Sequence, residues 1–477
     1  MTSLWTIDAM AAAMRAQPHG ILPSETNGIS IDSRTLRKGD TFFAIKGDNR
    51  DGHDFVGAAL ENGAGLAVVS NPSGFGAGAP LLIVPDVLEG LRDLARAGRA
   101  RSTAKVIAVT GSVGKTGTKE ALRLALSPQG ETHASAASYN NHWGVPLSLA
   151  RCPQTAKFAI FEIGMNHAGE ITPLTRLVRP HIAIITAIEP VHLEYFGSIE
   201  KIADAKAEIF SGLESGGTAV LNRDNAQFAR LAAAAKAARV GRIVSFGEHA
   251  DADVRLLRHS LHADHSTVEA SILGTAVTYR LGAPGRHLVI NSLAVMAAVA
   301  LAGGDLAIAG KALSHLQPAA GRGARAALAV GNGSALLIDE SYNANPASMR
   351  AAIALLGQAQ IGPRGRRIAV LGDMLELGPE GRKLHSALVE SIVAAGIDLV
   401  FCSGPLMHAL WDALPPALRG GYAESAAALE SMVLEAVDVG DALMVKGSLG
   451  SKMGLIVKAL ERKFPRQTAD EPAAASS

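Results

Sequence analysis

The chain has 477 residues, 48% of them hydrophobic and 19% charged, which excludes an intrinsically disordered protein and exceeds what one core holds. Its 45 basic and 44 acidic residues leave a net charge of +1, which argues against a nucleic acid or other polyanion as partner. Cys152 and Cys402 lack metal-ligand spacing, the N-terminal stretch lacks the basic flank and apolar core of a signal peptide, and no apolar run reaches membrane-spanning length, so a reduced, cytoplasmic protein is expected.

In chain order, residues 1–99 alternate short helical and strand-like runs, with helical spacing over 7–14 and strands predicted at 28–32, 41–46, 66–70 and 81–84. That alternation marks a small α/β unit. Two polar clusters follow strands, DSRTLRKGD at 32–40 and KGDNRDGHDF at 46–55. Ser33 and Arg34 suit a phosphate, and Lys46, Asp51 and His53 share the second loop. The residues by themselves fit a cradle for a polar ligand and solvated turns equally. A helix predicted over 87–101 leads into a second unit at 100–317.

That unit opens on KVIAVTGSVGKTGT, residues 105–118. A β-branched strand (Val106, Ile107, Val109) gives way to a turn with Gly111 and Gly114, then to a helical pattern from Lys115 and Thr116. Strand, glycine loop and helix together form a phosphate-binding device. The glycines let loop N–H groups, those of Ser112 and Val113 included, approach an anion, and the helix start adds unpaired donors. Lys115 supplies charge for the outer phosphates, and the Thr116 hydroxyl is placed for Mg²⁺. The loop departs from G-x-x-x-x-G-K-[ST], because Val109 stands where the first glycine would be.

Next, SYNNHWGVPLSL (138–149) is a polar loop entering an apolar helix. The strand in KFAIFEIGMNHAGEI ends at Glu162, where a parallel sheet presents ligands and a hard oxygen suits Mg²⁺. His192 and Glu194 lie just beyond the strand in 181–188. Lys206 falls among Ile202, Ile209 and Phe210, and its residue chemistry alone has it reaching out to solvent. Residues 248–286 read as an antiparallel insertion with alternation around 268–281, and the apolar helix after it holds Asn291, suited to capping or binding. From 318 the glycine- and arginine-rich AAGRGARA reads as a hinge. A third α/β unit follows at 318–465, with strands predicted in SALLID, RRIAVLG, DLVFCSG and DALMVKG. Strand ends there single out 339–346 (DESYNANP), 373–376 and 446–448, and the tail at 466–477 reads as disordered.

These pieces resemble the Mur ligase family of peptidoglycan synthesis over residues 28–460. The most specific are TGSVGKT, NNHWGVPLSL, EIGMNHAGEI, HLEYFGS with AKAEIF, and DESYNANP with LGDMLELG. YNANP is similar to the branch that adds D-alanyl-D-alanine, and no DNPR motif is present. The family often carries Arg after the late K-G-S, where this chain has Leu449 in KGSLGSKM.

The resemblance implies three α/β domains: a small UDP-substrate-binding domain (1–99), a central P-loop-type ATP-binding domain with a mostly parallel sheet (100–317), and a C-terminal Rossmann-like ligase domain (318–465). It implies ATP and Mg²⁺, with Gly111, Ser112, Val113, Gly114, Lys115 and Thr116 on the phosphates, Asn291 on adenine, Asp339 on ribose, and Arg322 or Arg325 closing on the phosphates. Thr116, Glu162, His192 and Lys206 would hold metal, Lys206 as a carbamate, and Lys115, His192 and Lys206 would be catalytic. Ser33, Arg34, Lys46, Asp51 and His53 would bind the uridine nucleotide, and Asn141, Tyr342, Asn343 and Asn345 the substrates. The implied reaction joins D-alanyl-D-alanine to UDP-N-acetylmuramoyl-tripeptide through an acyl phosphate, in a cytoplasmic monomer serving cell-wall growth, cell shape and division. The competing readings are a Mur ligase that adds a single amino acid, an enzyme like folylpolyglutamate synthetase, and a nucleotide switch without ligase turnover.

Overall fold

Strands apolar on both faces need helices above and below them, and the run preceding the phosphate loop is of that kind. The computed structural model describes residues 3–47, 50–136, 139–191, 193–262, 264–318 and 321–467. It places Lys105–Thr110 third from one edge of a nine-stranded sheet, between Phe158–Glu162 and Ile182–Ile185, both parallel to it. Thr132–Ala134 forms that edge. In the other direction Thr218–Asn222 and Arg242–Gly247 continue the parallel order. Val254–Leu261, Ser266–Ile272 and Thr275–Leu281 then extend it as an antiparallel meander, the insertion expected near 248–286.

Odd and even residues of the central strands feed two separate cores. Ile107, Val109 and Ile184 pack with the helices Lys115–Leu126 and Arg286–Leu301, whereas Val106, Ala108 and Ile185 pack with Ile171–Val178 and Ile199–Ala207. The phosphate loop and the ends of its two neighbouring strands therefore open on one edge of a three-layer sandwich, where ligands of parallel sheets sit.

The first unit holds a five-stranded sheet in the order Gln17–His19, Leu81–Ile83, Leu66–Val69, Thr41–Phe43, Ile29–Ser30, parallel except at its first pair. The helix Val87–Arg101 joins it to the central unit, with the Asp86 side chain accepting from Glu89 N at its start. Arg99 secures the joint, donating to Val178 O at 2.8 Å and to Arg179 O at 2.9 Å and pairing with Glu214. Trp5 Nε1 donates to Ala150 O at 2.8 Å across the same joint.

The third unit has six strands in the order Ala324–Val330, Gly333–Glu340, Ala442–Lys446, Arg367–Gly372, Leu399–Ser403, Arg419–Ala423, antiparallel only at the first pair. Two of these strands were not visible in the sequence. Ala324–Val330 begins inside the stretch read as a hinge, so the turn itself is shorter than that reading. Arg419–Ala423 (RGGYA) has no β-branched residue to announce it. Arg466 bridges Leu328 and Gln467 N donates to Ala327 O, so the first two residues of the tail lie against this sheet, and 468–477 fall outside the described residues.

Candidate active site

The phosphate loop needs its glycines for two distinct reasons. Both carry positive φ, +145° at Gly111 and +83° at Gly114, and both are approached closely. A Cβ on Gly111 would lie 2.0 Å from Thr186 Oγ1, and one on Gly114 would lie 2.5 Å from Asn291 Nδ2. Asn291, the buried-helix asparagine, is thereby placed directly against the loop. Thr186 Oγ1 donates to Val113 O at 2.5 Å and Ser112 Oγ to Glu189 O at 3.1 Å, which fixes the loop against the neighbouring strand end. Lys115 folds back, its Nζ 2.8 Å from Gly111 O. Burial lowers the Lys115 pKa most; the Glu162 carboxylate acts in the opposite sense, and Arg322 lowers it further.

Glu162 is 1% exposed at the end of the adjacent strand. Thr116 Oγ1 donates to its Oε2 at 2.9 Å and Asn140 Nδ2 to its Oε1 at 2.7 Å. A buried carboxylate with neutral hydrogen-bond partners, beside a hydroxyl at the start of a helix, is a donor set suited to a hard divalent cation. Lys206 is 2% exposed on the helix Ile199–Ala207, which Ser198 caps. Burial drives its pKa well below the usual lysine range, Lys115 adds to the shift, and Glu208, Glu162 and Glu170 oppose it. The side chain expected from residue chemistry to reach solvent is instead enclosed beside the carboxylates. His192 lies outside the described residues, and among the described residues no cluster of three His, Cys, Asp or Glu is set to hold a metal.

Across the hinge, Arg322 stacks over the Tyr342 ring at 4.4 Å. Asp339 anchors the turn that carries it. Its carboxylate accepts from Gly321 N at 2.9 Å and Ser341 Oγ at 2.6 Å, and its carbonyl from Gly323 N at 2.8 Å. Asn343 O accepts from Lys446 Nζ at 2.9 Å, whereas Asn345 caps the helix Pro346–Gly357 in a capping box with Ser348 and keeps its Nδ2 buried without a partner. Burial lowers the Arg325 pKa, and the charge of Asp264 opposes that shift.

The remaining candidates form a separate group, joined by no described hydrogen bond to the phosphate loop. Arg34 grips Asp32 through two nitrogens and holds its carboxyl down to about 2. His53 Nε2 accepts from Ser70 N at 2.9 Å, which leaves the proton on Nδ1 to meet Asp51 Oδ1 at 2.6 Å. Ser33 is 9% exposed, and Lys46 pairs with Asp51 through the backbone. Asn141 Oδ1 accepts from Gly144 N at 2.9 Å, at the first residue of the helix Gly144–Ala150. Of the paired asparagines, sequence reasoning selected Asn141 and missed Asn140, the one that grips Glu162. It also missed Lys119, one turn past Lys115, wholly buried with its Nζ on Ser135 O at 2.7 Å.

This geometry has a family. Residues 25–99 match the Mur ligase family, catalytic domain, 109–299 the Mur ligase middle domain, and 325–449 the Mur ligase, glutamate ligase domain. The UDP-N-acetylmuramoyl-tripeptide–D-alanyl-D-alanine ligase of Escherichia coli is 35% identical over 436 residues, 91% of this chain and 94% of that one. The chain belongs to the Mur ligase family. The same-named ligase of Rickettsia prowazekii is 32% identical over 431 residues, 90% of this chain and 94% of its own. A crystal structure of MurF from Acinetobacter baumannii superposes with a TM-score of 0.82 at 30% identity, covering 96% of this chain and 99% of that one. The Mur ligase architecture of three α/β domains thus accounts for the sheets at 17–83, 105–281 and 324–446.

Proposed function

We propose that the protein is an ATP-dependent ligase that joins D-alanyl-D-alanine to UDP-N-acetylmuramoyl-tripeptide in peptidoglycan precursor synthesis, acting as a cytoplasmic monomer. The observation that carries this reading is the convergence of Lys115, Thr116, Glu162 and Lys206 on one sheet edge, with Arg322 brought to it from the third domain. The relatives that match this chain over more than nine-tenths of their own length bear that name.

A carboxylate is a poor electrophile, so the tripeptide's terminal carboxylate must be activated. Its oxygen attacks the γ-phosphorus of ATP, the bond to the β–γ bridging oxygen breaks, and ADP departs. The dipeptide amine then adds to the acyl phosphate, phosphate leaves from the tetrahedral adduct, and the nitrogen gives up a proton. The first step brings two anions together, so cations and positioning dominate it. The ammonium of Lys115 and the guanidinium of Arg322 would neutralise the transferring group. Thr116 and Glu162 would hold Mg²⁺, which screens the phosphates when bound. The uncharged amine of Lys206 is the form that adds carbon dioxide, releasing a proton and leaving a carbamate oxygen that with His192 would serve a second cation. Asn291 and Asp339 would take adenine and ribose, and Ser33, Arg34, Lys46, Asp51 and His53 the uridine nucleotide. The turn through Gly321 and Gly323, at φ +72° and +97°, would travel with the third domain as it shuts over the acyl phosphate and keeps water out.

The test is phosphate release from ATP and Mg²⁺ with UDP-N-acetylmuramoyl-tripeptide, with and without D-alanyl-D-alanine. Release requiring both, a product heavier by the dipeptide, and its loss in Lys115→Ala by at least roughly a hundredfold are expected. Release with a single amino acid instead would assign a sister ligase, and no turnover with any amine would overturn the reading.

A further inference from the structure

The sheet of the central domain stops at Thr275–Leu281, a strand with one neighbour, Ser266–Ile272, and an open outer edge. Its sequence, TAVTYRL, holds none of the devices that usually guard an edge: no proline, no register shift against its neighbour, and no charge before Arg280. A groove of about 830 Å³ runs along it, with Met296 behind and the helix Leu306–Leu313 as its other wall. Gly310 lets that wall come close, since a Cβ there would stand 3.0 Å from Tyr279 Cβ. Gly282 N donates to Leu313 O at 3.0 Å, so helix and strand run the same way and their charges sort by end. Arg280 and Lys311 lie toward one end, and Asp305 lies at the other, its carboxylate taken up by Ala307 N at 2.7 Å and Ile308 N at 2.9 Å. Lys311 is exposed and makes no ion pair among the described residues, and exposed Arg280 meets Asp264 at 3.4 Å.

A segment of this chain heads for that cationic end. Arg466 bridges Leu328 in the antiparallel sense and Gln467 N donates to Ala327 O at 2.9 Å, so each further residue advances toward Arg325 and the start of that strand. The charge of Asp264 reaches Arg325, and Asp264 is the partner of Arg280 at the mouth of the groove. Residues 468–477, TADEPAAASS, have about 33–36 Å of extended reach. The first two residues, about 7 Å of chain, bring the segment level with Arg325. Asp470 and Glu471 come next, then Pro472 and a run of alanine and serine. That order matches the groove, which has cations at its mouth and, farther in, a bare strand edge beside Gly310 and Gly304.

We propose that residues 468–477 dock in this groove, with Asp470 and Glu471 pairing with Arg280 and Lys311 and residues 473–477 laying their backbone along Thr275–Leu281 as an added strand. Pro472, before the paired stretch, costs no ladder bond there. The segment then links the third domain to the central one at a second point besides the hinge. Amide hydrogen exchange over residues 275–281 tests this, comparing the full chain with one stopped at Gln467, which keeps every described residue. Stopping the chain is expected to speed that exchange roughly tenfold, and a peptide of residues 468–477 at millimolar concentration should slow it again. Lys311→Glu in the full chain should speed it about threefold, as loss of an exposed ion pair does. Glu471→Lys added to that variant should reverse the effect, which a merely structural role for Lys311 would not allow. Exchange unchanged by the truncation would overturn the docking. So would protection that survives truncation and grows with protein concentration, which would put a second copy on the edge. Lys311→Glu without effect, or an effect that Glu471→Lys leaves in place, would overturn the assigned ion pairs.

Discussion

His133 shows how one side chain outside the chemistry can set the acid limit of the fold. It sits on the edge strand Thr132–Ala134, its Nε2 3.2 Å from Ser148 Oγ and its ring 5.8 Å from Phe161. Ser148 in turn donates to Ser135 Oγ, which Glu162 N approaches at 3.4 Å, so the imidazole lies at the far end of a buried polar chain behind the site. Burial pushes its pKa down from 6.5 to about 4; the Ser148 contact opposes this and Arg151 reinforces it. The unfolded chain therefore binds a proton near pH 6.5 that the folded protein refuses until about pH 4, and stability falls as pH drops through that window. A shift of this kind is worth about 1.36 kcal/mol per unit, and the ring's partial solvent contact trims the whole effect to about 1–2 kcal/mol. His133→Gln keeps a donor for Ser148 without the titration. Urea midpoints followed from pH 6.5 to 4 should decline less in that variant than in the unaltered protein, and parallel declines would refute the account.

At the scale of elements, the helix Val87–Arg101 decides how the first domain meets the second. Gly98 lies on its buried face, where a Cβ would come within 2.8 Å of the Leu149 carbonyl oxygen. Backbone atoms there have little room to yield, so Gly98→Val should cost about 1–3 kcal/mol, seen as a lowered first thermal transition and faster proteolysis near the joint. Unchanged melting would show that the helix can slide. This helix was legible from the sequence end to end because its apolar stripe is unbroken and Asp86 caps it. The phosphate loop was legible for a similar reason, since glycines between a β-branched strand and a helix have few other uses. The strand Ala324–Val330 was not, because Gly321, Gly323 and Arg325 masked its start and its partner lies across a turn. Lys206 illustrates a deeper limit: local spacing places it among apolar residues, but only the fold shows that the side chain is enclosed, 2% exposed, rather than turned to solvent. Of Asn140 and Asn141, likewise, only the fold separates the residue on Glu162 from the one on Gly144 N.

Over the whole molecule, one carboxylate ties the hinge to the third sheet. Asp339 holds Gly321 N and Ser341 Oγ with its side chain and Gly323 N with its carbonyl, so the turn bearing Arg322 is fixed relative to the third sheet. Glu340, the next residue, pairs with buried Lys446 and keeps the strand end in place. If Asp339 is also the ribose contact, nucleotide binding competes with Gly321 and Ser341 for the same oxygens, and domain closure is then coupled to ATP through that exchange. Asp339→Ala would remove the clamp and the ribose acceptor together. It is expected to raise the KM for ATP roughly tenfold, the cost of about one hydrogen bond to a charged group. It should also abolish the compaction on ATP addition that small-angle scattering would detect in the unaltered protein. Asp339→Asn, which retains one acceptor oxygen for Gly321, should recover part of the compaction while leaving the KM raised. An unchanged scattering response in Asp339→Ala would place the control of closure elsewhere, with Arg322 on Tyr342 as the contact that then has to carry it.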